Sequence, residues 1–329
     1  MKRQQLVKEF LLKYSNIKSD RKLSLLLLHK YPLIFKTYDD ARSAIRYLTS
    51  NTKKNRSKDT NFKNHLSKLR LECEVEEGQV TDVTPYKFDK VFKKLLVISD
   101  LHVPYQDMQS LDIALEYGYK SDVDAILING DMLDFNTISR WLSKPDEMRM
   151  MDCIFIGKNI LKYIQKSLNC KIIFHEGNHD IRCEHYLMRQ APEFWGVEST
   201  KLENLLDCKT LNIDTVSNIK TMHFGKLTIA HGNHIVRGVF APVNPARGAF
   251  IKANNNILIS HVHRTSEHVE TDIKGKVTGA YSIGCLTNTN PEYNPMVGKF
   301  NQGFAVVKLE SNEGDFIVDN RKIIEYKVR

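Results

Sequence analysis

Residues 125–134 read Ala-Ile-Leu-Ile-Asn-Gly-Asp-Met-Leu-Asp. Four apolar residues, two of them β-branched, have the length and character of a buried strand. The run then breaks into Asn129-Gly130-Asp131, which sets polar groups at the strand's carboxyl end. The same grammar recurs four more times. Residues 95–98 lead into Ser99-Asp100-Leu101-His102, and 171–174 into the stretch holding Glu176-Gly177-Asn178-His179-Asp180. Residues 227–230 lead into His231-Gly232-Asn233-His234, and 257–259 into Ser260-His261-Val262-His263. Helix-length segments at 110–120 and 154–167 lie between strands, so the pattern predicts an α/β architecture. The stretches 276–283, 303–309, 316–319 and 322–328 read as consecutive strands that finish the chain antiparallel.

In an open α/β sheet, ligands gather at the carboxyl ends of the strands. Five such ends would bring Asp100, His102, Asp131, Asn178, His231, His261 and His263 into one cleft. Each motif alone has a bland reading: a Gly-Asp turn, a helix cap at Asn-His-Asp, a structural histidine closing a strand. Their conjunction, each after an apolar run, outweighs those readings. Carboxylates and imidazoles without a thiolate suit manganese, iron, zinc or nickel. Seven side chains are too many for one ion with open positions, but suit two ions if one carboxylate bridges. Two such ions clamp a phosphoryl group and acidify a water, whose hydroxide attacks phosphorus in line, so no protein nucleophile is required.

The order Asp100-x-His102, Gly130-Asp131-x-x-Asp134, Gly177-Asn178-His179-Asp180, His231, His261-x-His263 resembles the calcineurin-like metallophosphoesterase family. The resemblance covers roughly residues 93–265. It implies two facing mixed β-sheets flanked by helices. It also implies two divalent ions, manganese first among the candidates. Asp100, His102 and His263 would hold the first, Asn178, His231 and His261 the second, and Asp131 both. His179 would donate a proton to the leaving oxygen, with Asp134 orienting it or, alternatively, supporting a ligand histidine. The sequence departs from the family at Ser260, where glycine is usual, which is tolerable if the backbone there avoids positive φ. His234 is a second histidine in the fourth motif. Arg182, Arg140, Arg264 and His234 are candidate substrate contacts, because arginine suits bidentate phosphate binding. The segment 282–288, with Tyr293, is expected to form a loop over the site.

Ahead of this region the texture differs. Leu6, Phe10, Leu11 and Tyr14 recur at helical spacing. Ser19 or Asp20 is placed to cap a second helix, and Thr37 with Asp40 resembles a capping box before Ala41, Ala44, Ile45 and Leu48. Residues 1–70 thus read as a small all-α domain of three helices, comparable to a helix-turn-helix module or a docking bundle. Residues 52–58 read as a polar loop, 71–90 as an acidic linker, and 91–329 as the α/β domain. Residues 1–70 carry 18 Lys and Arg against 5 Asp and Glu, a net of +13, within a chain whose net charge is +9. Such asymmetry fits a polyanionic partner, the alternative being a solvated basic face.

Family membership would not set the substrate. Phe135-Asn136 stands where the protein-phosphatase form of the Gly-Asp motif has Arg-Gly, which disfavours that class. With the basic segment, this leads to a phosphodiesterase or nuclease acting on DNA or RNA. The alternatives are a phosphatase or phosphodiesterase of small nucleotides, and a docking protein with a scaffold domain. A small helical domain ahead of such a unit is also similar to bacteriophage-encoded members. The six cysteines form no Cys-x-x-Cys pair and no run is apolar enough for a membrane, so a cytoplasmic protein is expected. Oligomeric state is not legible.

Overall fold

The computed structural model describes residues 3–56, 60–74, 78, 80–139, 149–236, 243–290 and 300–329. The chain divides into two compact units, Met1–Thr81 and Asp82–Arg329.

The first unit holds α1 (Arg3–Lys13), α2 (Asp20–Lys30), α3 (Tyr38–Arg56) and α4 (Thr60–Glu72). Ser19 caps α2 by accepting a hydrogen bond from the Lys22 N–H at 3.4 Å, and Thr37 accepts from the Asp40 N–H at 3.2 Å. Both satisfy amides that the first helical turn leaves unpaired. Leu6, Phe10, Leu27, Phe35 and Ile45 meet in its core. Among the described residues of this unit there are four helices rather than three. The polar stretch expected as a loop instead continues α3 through Arg56, because a helix needs no apolar periodicity to extend once nucleated.

The second unit contains β1 (Tyr86–Lys87), β2 (Lys94–Ile98), α5 (Met108–Lys120), β3 (Ala125–Asn129), α6 (Met150–Leu168), β4 (Lys171–His175), α7 (Arg182–Gln190), α8 (Leu202–Leu205) and β5 (Ile213–Val216). After these come β6 (Met222–Phe224), β7 (Leu227–Ala230), α9 (Pro245–Ala253), β8 (Ile257–Ile259), β9 (Ser266–Thr271), β10 (Val277–Ser282), β11 (Gln302–Leu309), β12 (Phe316–Ile324) and β13 (Lys327–Val328). One mixed sheet runs β13-β12-β11-β2-β3-β4-β5, the other β1-β6-β7-β8-β10-β9. In the first, β2, β3, β4 and β5 are mutually parallel; in the second, β7 is parallel to β8. Their carboxyl ends therefore align within each sheet.

Alternation along the strands builds the layers. Leu96, Ile98, Ile126 and Ile128 pack with Leu111 of α5 and Leu161 and Ile164 of α6. Their neighbours Leu95, Val97 and Leu127 turn the other way, onto Ile229 and Leu258 of the facing sheet. Ala246 and Ala249 of α9 cover the second sheet at Ile257 and Ile259. Strands buried on both faces explain the continuous apolar runs. Three expectations are corrected. The linker region contains the end of α4 and also β1, which pairs with β6. The C-terminal strands are not one meander: β10 lies in the second sheet beside β8 and β9, and β12 is continuous across residues 316–324. The strand β9 has no apolar run and is an exposed edge.

Leu127 is wholly buried between the sheets, so Leu127→Ala should lower the unfolding free energy by about 2–5 kcal/mol in urea titration. Val277→Ala, at a site 59% exposed, should change it by no more than about 0.5 kcal/mol.

Candidate metal centre

The carboxyl ends of β2, β3 and β4 in one sheet meet those of β7 and β8 in the other. Asp100 and His102 follow β2, Asp131 follows β3, and Asn178 and His179 follow β4. His231 follows β7, and His261 and His263 follow β8. Among the described residues, three overlapping groups have donor atoms close enough to share an ion: Asp100, His102 and His263; His102, Asp131 and His179; and Asp131, His231 and His261.

The ring nitrogens converge on the carboxylates. His263 Nε2 lies 3.3 Å from Asp100 Oδ1 and 3.1 Å from His102 Nε2. His231 Nε2 lies 3.2 Å from Asp131 Oδ2 and 3.2 Å from Asn178 Oδ1, and His102 Nε2 is 3.7 Å from the same Asp131 oxygen. The outward nitrogens are fixed from behind. His102 Nδ1 donates to Asp134 Oδ1 at 2.9 Å, and His231 Nδ1 donates to the Asn129 carbonyl at 2.8 Å. In a neutral imidazole so held, Nε2 has its lone pair aimed into the cluster. Asp100 Oδ1 is buried and accepts no hydrogen bond.

The backbone is bent to make this possible. Asp100, His102, Asp131, His261 and His263 all take positive φ, between 49° and 69°. Non-glycine residues seldom do so, and each costs of order 1–3 kcal/mol unless the surroundings over-determine it. Here they do. The Asp100 N–H donates to the Gly130 carbonyl and the His102 N–H to the Asp131 carbonyl, both at 3.0 Å. The His261 N–H donates to Asp100 Oδ2 at 3.1 Å, and the His179 N–H to Asp131 Oδ1 at 2.8 Å. Ser260 is not among the positive-φ residues, which answers its substitution for glycine.

Asp100 and Asp131 are 0% and 1% exposed. Burial alone would raise both carboxyls, yet His263 holds Asp100 low and His231 holds Asp131 well below its ordinary value. Burial likewise opposes a charge on His231, but Asp131 outweighs it and raises that imidazole to about 9. Burial, with His231 nearby, pushes His261 down to about 4. Two buried anions that draw charge onto a neighbouring imidazole make a site that calls for cations.

Asp134 Oδ1 accepts from His102 Nδ1 and also from His179 Nδ1, each at 2.9 Å. Asp134 thus contacts both imidazoles with which the sequence associated it. Arg182 donates from Nη1 to the Asp134 carbonyl at 2.7 Å, and its Nη2 stands 3.1 Å from His179 Nε2. His234 is exposed and lines an adjoining cleft with Arg182, whereas Arg264 follows His263 and offers its carbonyl to Ser282 Oγ. Arg140 and Tyr293 lie outside the described residues. Segment 282–288 is laced beside Asp100: the Leu286 N–H donates to the Ser99 carbonyl at 3.1 Å, and the Asn288 N–H to that of Tyr105 at 2.8 Å.

Sequence reading gave no role to Asp180, Asn129 or the Ser260 hydroxyl. Asp180 accepts from the Gly177 N–H at 2.8 Å and the Leu133 N–H at 3.0 Å, tying two loops of the centre together. Asn129 Nδ2 donates to the Ala230 carbonyl at 2.9 Å and to Ser260 Oγ at 3.1 Å, joining one sheet to the other. The only sequence signal for Asp180 was its place in the quoted quartet. A Cβ on Gly177 would overlap Asp131 Oδ1 and its backbone nitrogen.

Gly177→Ala should therefore displace Asp131 and lower phosphodiester hydrolysis by about 10²-fold, read as kcat/KM on bis-p-nitrophenyl phosphate, while circular dichroism stays unchanged. Glu176 offers a second check. Burial first, then Asp180, Glu184 and Glu203, raise its carboxyl from 4.5 to about 7. The folded state therefore holds this proton above the pH at which the unfolded chain loses it, and stability falls as pH rises through that window. Glu176→Gln should raise Tm relative to wild type at pH 8 and leave it unchanged at pH 4.

The profile of the calcineurin-like phosphoesterases matches residues 93–281, a segment that holds every residue of this centre. The chain is similar to the Gene 54 protein of Mycobacterium phage L5, with 25% identity over 256 residues, 70% of this chain and 98% of that protein. Among solved structures it is similar to Vps29 of Entamoeba histolytica, at 12% identity, 72% and 96% coverage and a TM-score of 0.38. It is also similar to Yfce, a phosphoesterase from E. coli, at 13% identity, 68% and 96% coverage and a TM-score of 0.32. Those two likenesses are too distant to bear on function. The family match spans more than half of the chain and coincides with the buried acid and imidazole cluster: the protein belongs to the calcineurin-like phosphoesterase family and is a metal-dependent phosphoesterase.

Proposed function

We propose that the centre holds two divalent ions and hydrolyses phosphodiesters of DNA or RNA. Asp100, His102 and His263 would hold one ion, and Asn178, His231 and His261 the other. The observation that carries this reading is the position of Asp131 Oδ2, which faces His231 Nε2 on one side and His102 Nε2 on the other. Donor separations of 3.1–3.7 Å across the cluster suit ligands that each stand about 2.0–2.2 Å from a shared ion. The orphaned Asp100 Oδ1 fits the same purpose. Imidazoles, carboxylates and an amide suit manganese, with iron, zinc and nickel as competitors.

Two ions in such a site clamp a phosphoryl group and lower the pKa of a water. This chain's own residues do the rest. Asp131 and Asp100 supply the negative charge that retains the ions. His179 would give a proton to the leaving oxygen from Nε2, the nitrogen turned away from Asp134, once an incoming phosphate draws off the Arg182 guanidinium that faces it. Burial works against the charged imidazole, as does Arg182, but Asp131 and Asp134 outweigh them and raise its pKa. Arg182 stands against that nitrogen, where a guanidinium favours a departing phosphate oxygen.

The polymer substrate is supported by the charge of residues 1–70, which would add salt-sensitive affinity for a phosphate backbone. The smaller reading, a nucleotide phosphodiesterase, is favoured by the adjoining cleft of about 590 Å³, which has the volume of a nucleotide site. All six cysteines are unpaired thiols, and no described helix is long and apolar enough to cross a membrane. Both suit work in the cytoplasm.

Incubation of end-labelled DNA and RNA with manganese should give cleavage by the wild type and none by Asp131→Asn, whose bound metal should fall below two ions per chain by mass spectrometry. Hydrolysis of bis-p-nitrophenyl phosphate with both polymers left intact would sink the polymer reading and favour the small nucleotide.

A further inference from the structure

The helix α7 separates two cavities of opposite character. On one side, a cavity of about 520 Å³ is lined by Glu176, Asp180, Glu184 and Glu203, with Lys201 the one basic residue among its described lining. On the other, the cleft of about 590 Å³ begins at Asn178 and is lined by Arg182, His185, Arg189, Asn233 and His234, with no carboxylate among its described residues. Arg182, His185 and Arg189 recur at helical spacing, so the three line up from the metal centre outward. The last two are exposed. Arg189 Nε is tied to the His185 carbonyl of its own helix at 3.1 Å, and no carboxylate among the described residues pairs with it. Ile138, Ile181 and Met188 give the same cleft an apolar floor.

We propose that this cleft seats a second phosphate of the substrate, one nucleoside away from the phosphate being hydrolysed, with Arg189 and His185 as its contacts. The inference rests on the phosphoesterase reading of the metal centre but not on a polymer substrate. Three features point to it. The cleft is continuous with the centre through Asn178, so whatever leaves or flanks the reacting phosphate enters it. Its donors, guanidinium, imidazole and amide, match phosphate oxygens. The carboxylates that would repel an anion line the other cavity, where Glu184 is the one that α7 contributes. The apolar floor lies where a sugar and base would join the two phosphates.

The test is competition against bis-p-nitrophenyl phosphate in manganese. Thymidine 3′,5′-bisphosphate should inhibit the wild type with a Ki about tenfold below those of the 5′- and 3′-monophosphates, the effect of one charge-assisted contact. In the double variant Arg189→Gln, His185→Gln, that preference should vanish while kcat and KM for bis-p-nitrophenyl phosphate stay unchanged. Arg189→Lys should keep part of it, since the charge remains. Equal inhibition of the wild type by all three nucleotides, or a preference that survives in the double variant, would overturn the proposal. The outcome is independent of polymer cleavage. A chain that leaves DNA and RNA intact yet prefers the bisphosphate loses the nuclease reading and keeps the second-phosphate cleft.

Discussion

Two carboxylates, Asp100 and Asp131, are buried close together within a cluster of imidazoles. Removing an anion from water costs several kcal/mol even after relaxation, and two together repel. A fold bears this cost only if cations or hydrogen-bond donors meet them. The local architecture follows from that demand. Backbone amides of His261 and His179 donate to the acid oxygens that face away from the cluster. Two of the histidines, His102 and His231, are steered by acceptors behind them, so that their Nε2 atoms face inward. Even the left-handed backbone at five of these residues serves the same end, since it turns consecutive side chains into a space too small for a regular turn.

That space exists because two sheets end at the same level. Asn129 spans from the tip of β3 to Ala230 and Ser260 of the other sheet, and Ser260 Oγ donates back to the Asn129 carbonyl at 2.7 Å. His231 leans on the same carbonyl. One peptide group thus holds both the sheet interface and an imidazole of the cluster. Sites mounted on strand ends in this way hold their geometry better than sites on free loops.

The catalytic region was legible because its chemistry is punctuated. Each functional cluster follows an apolar run, and a strand buried on both faces announces itself by composition. Elements without that contrast escaped. The exposed edge β9 alternates among polar residues and offers no apolar signal. The helix α4 and the tail of α3 are polar stretches that look like loop. The strand β1 is two residues long and gains its identity only by pairing with β6. Asp180, Asn129 and Ser260 were invisible as functional residues because they act on backbone groups brought together from distant strands, and no spacing in one chain records such a partner.

Asp134 carries a consequence of another kind. A single oxygen of this residue receives both His102 and His179. Under the proposed assignment, the first imidazole belongs to the metal and the second to the departing group. Tuning one half of the reaction therefore disturbs the other. A lineage exchanging one metal for another would feel the exchange in its tolerance of poor leaving groups. An engineer seeking to separate these traits would first have to give each histidine an acceptor of its own.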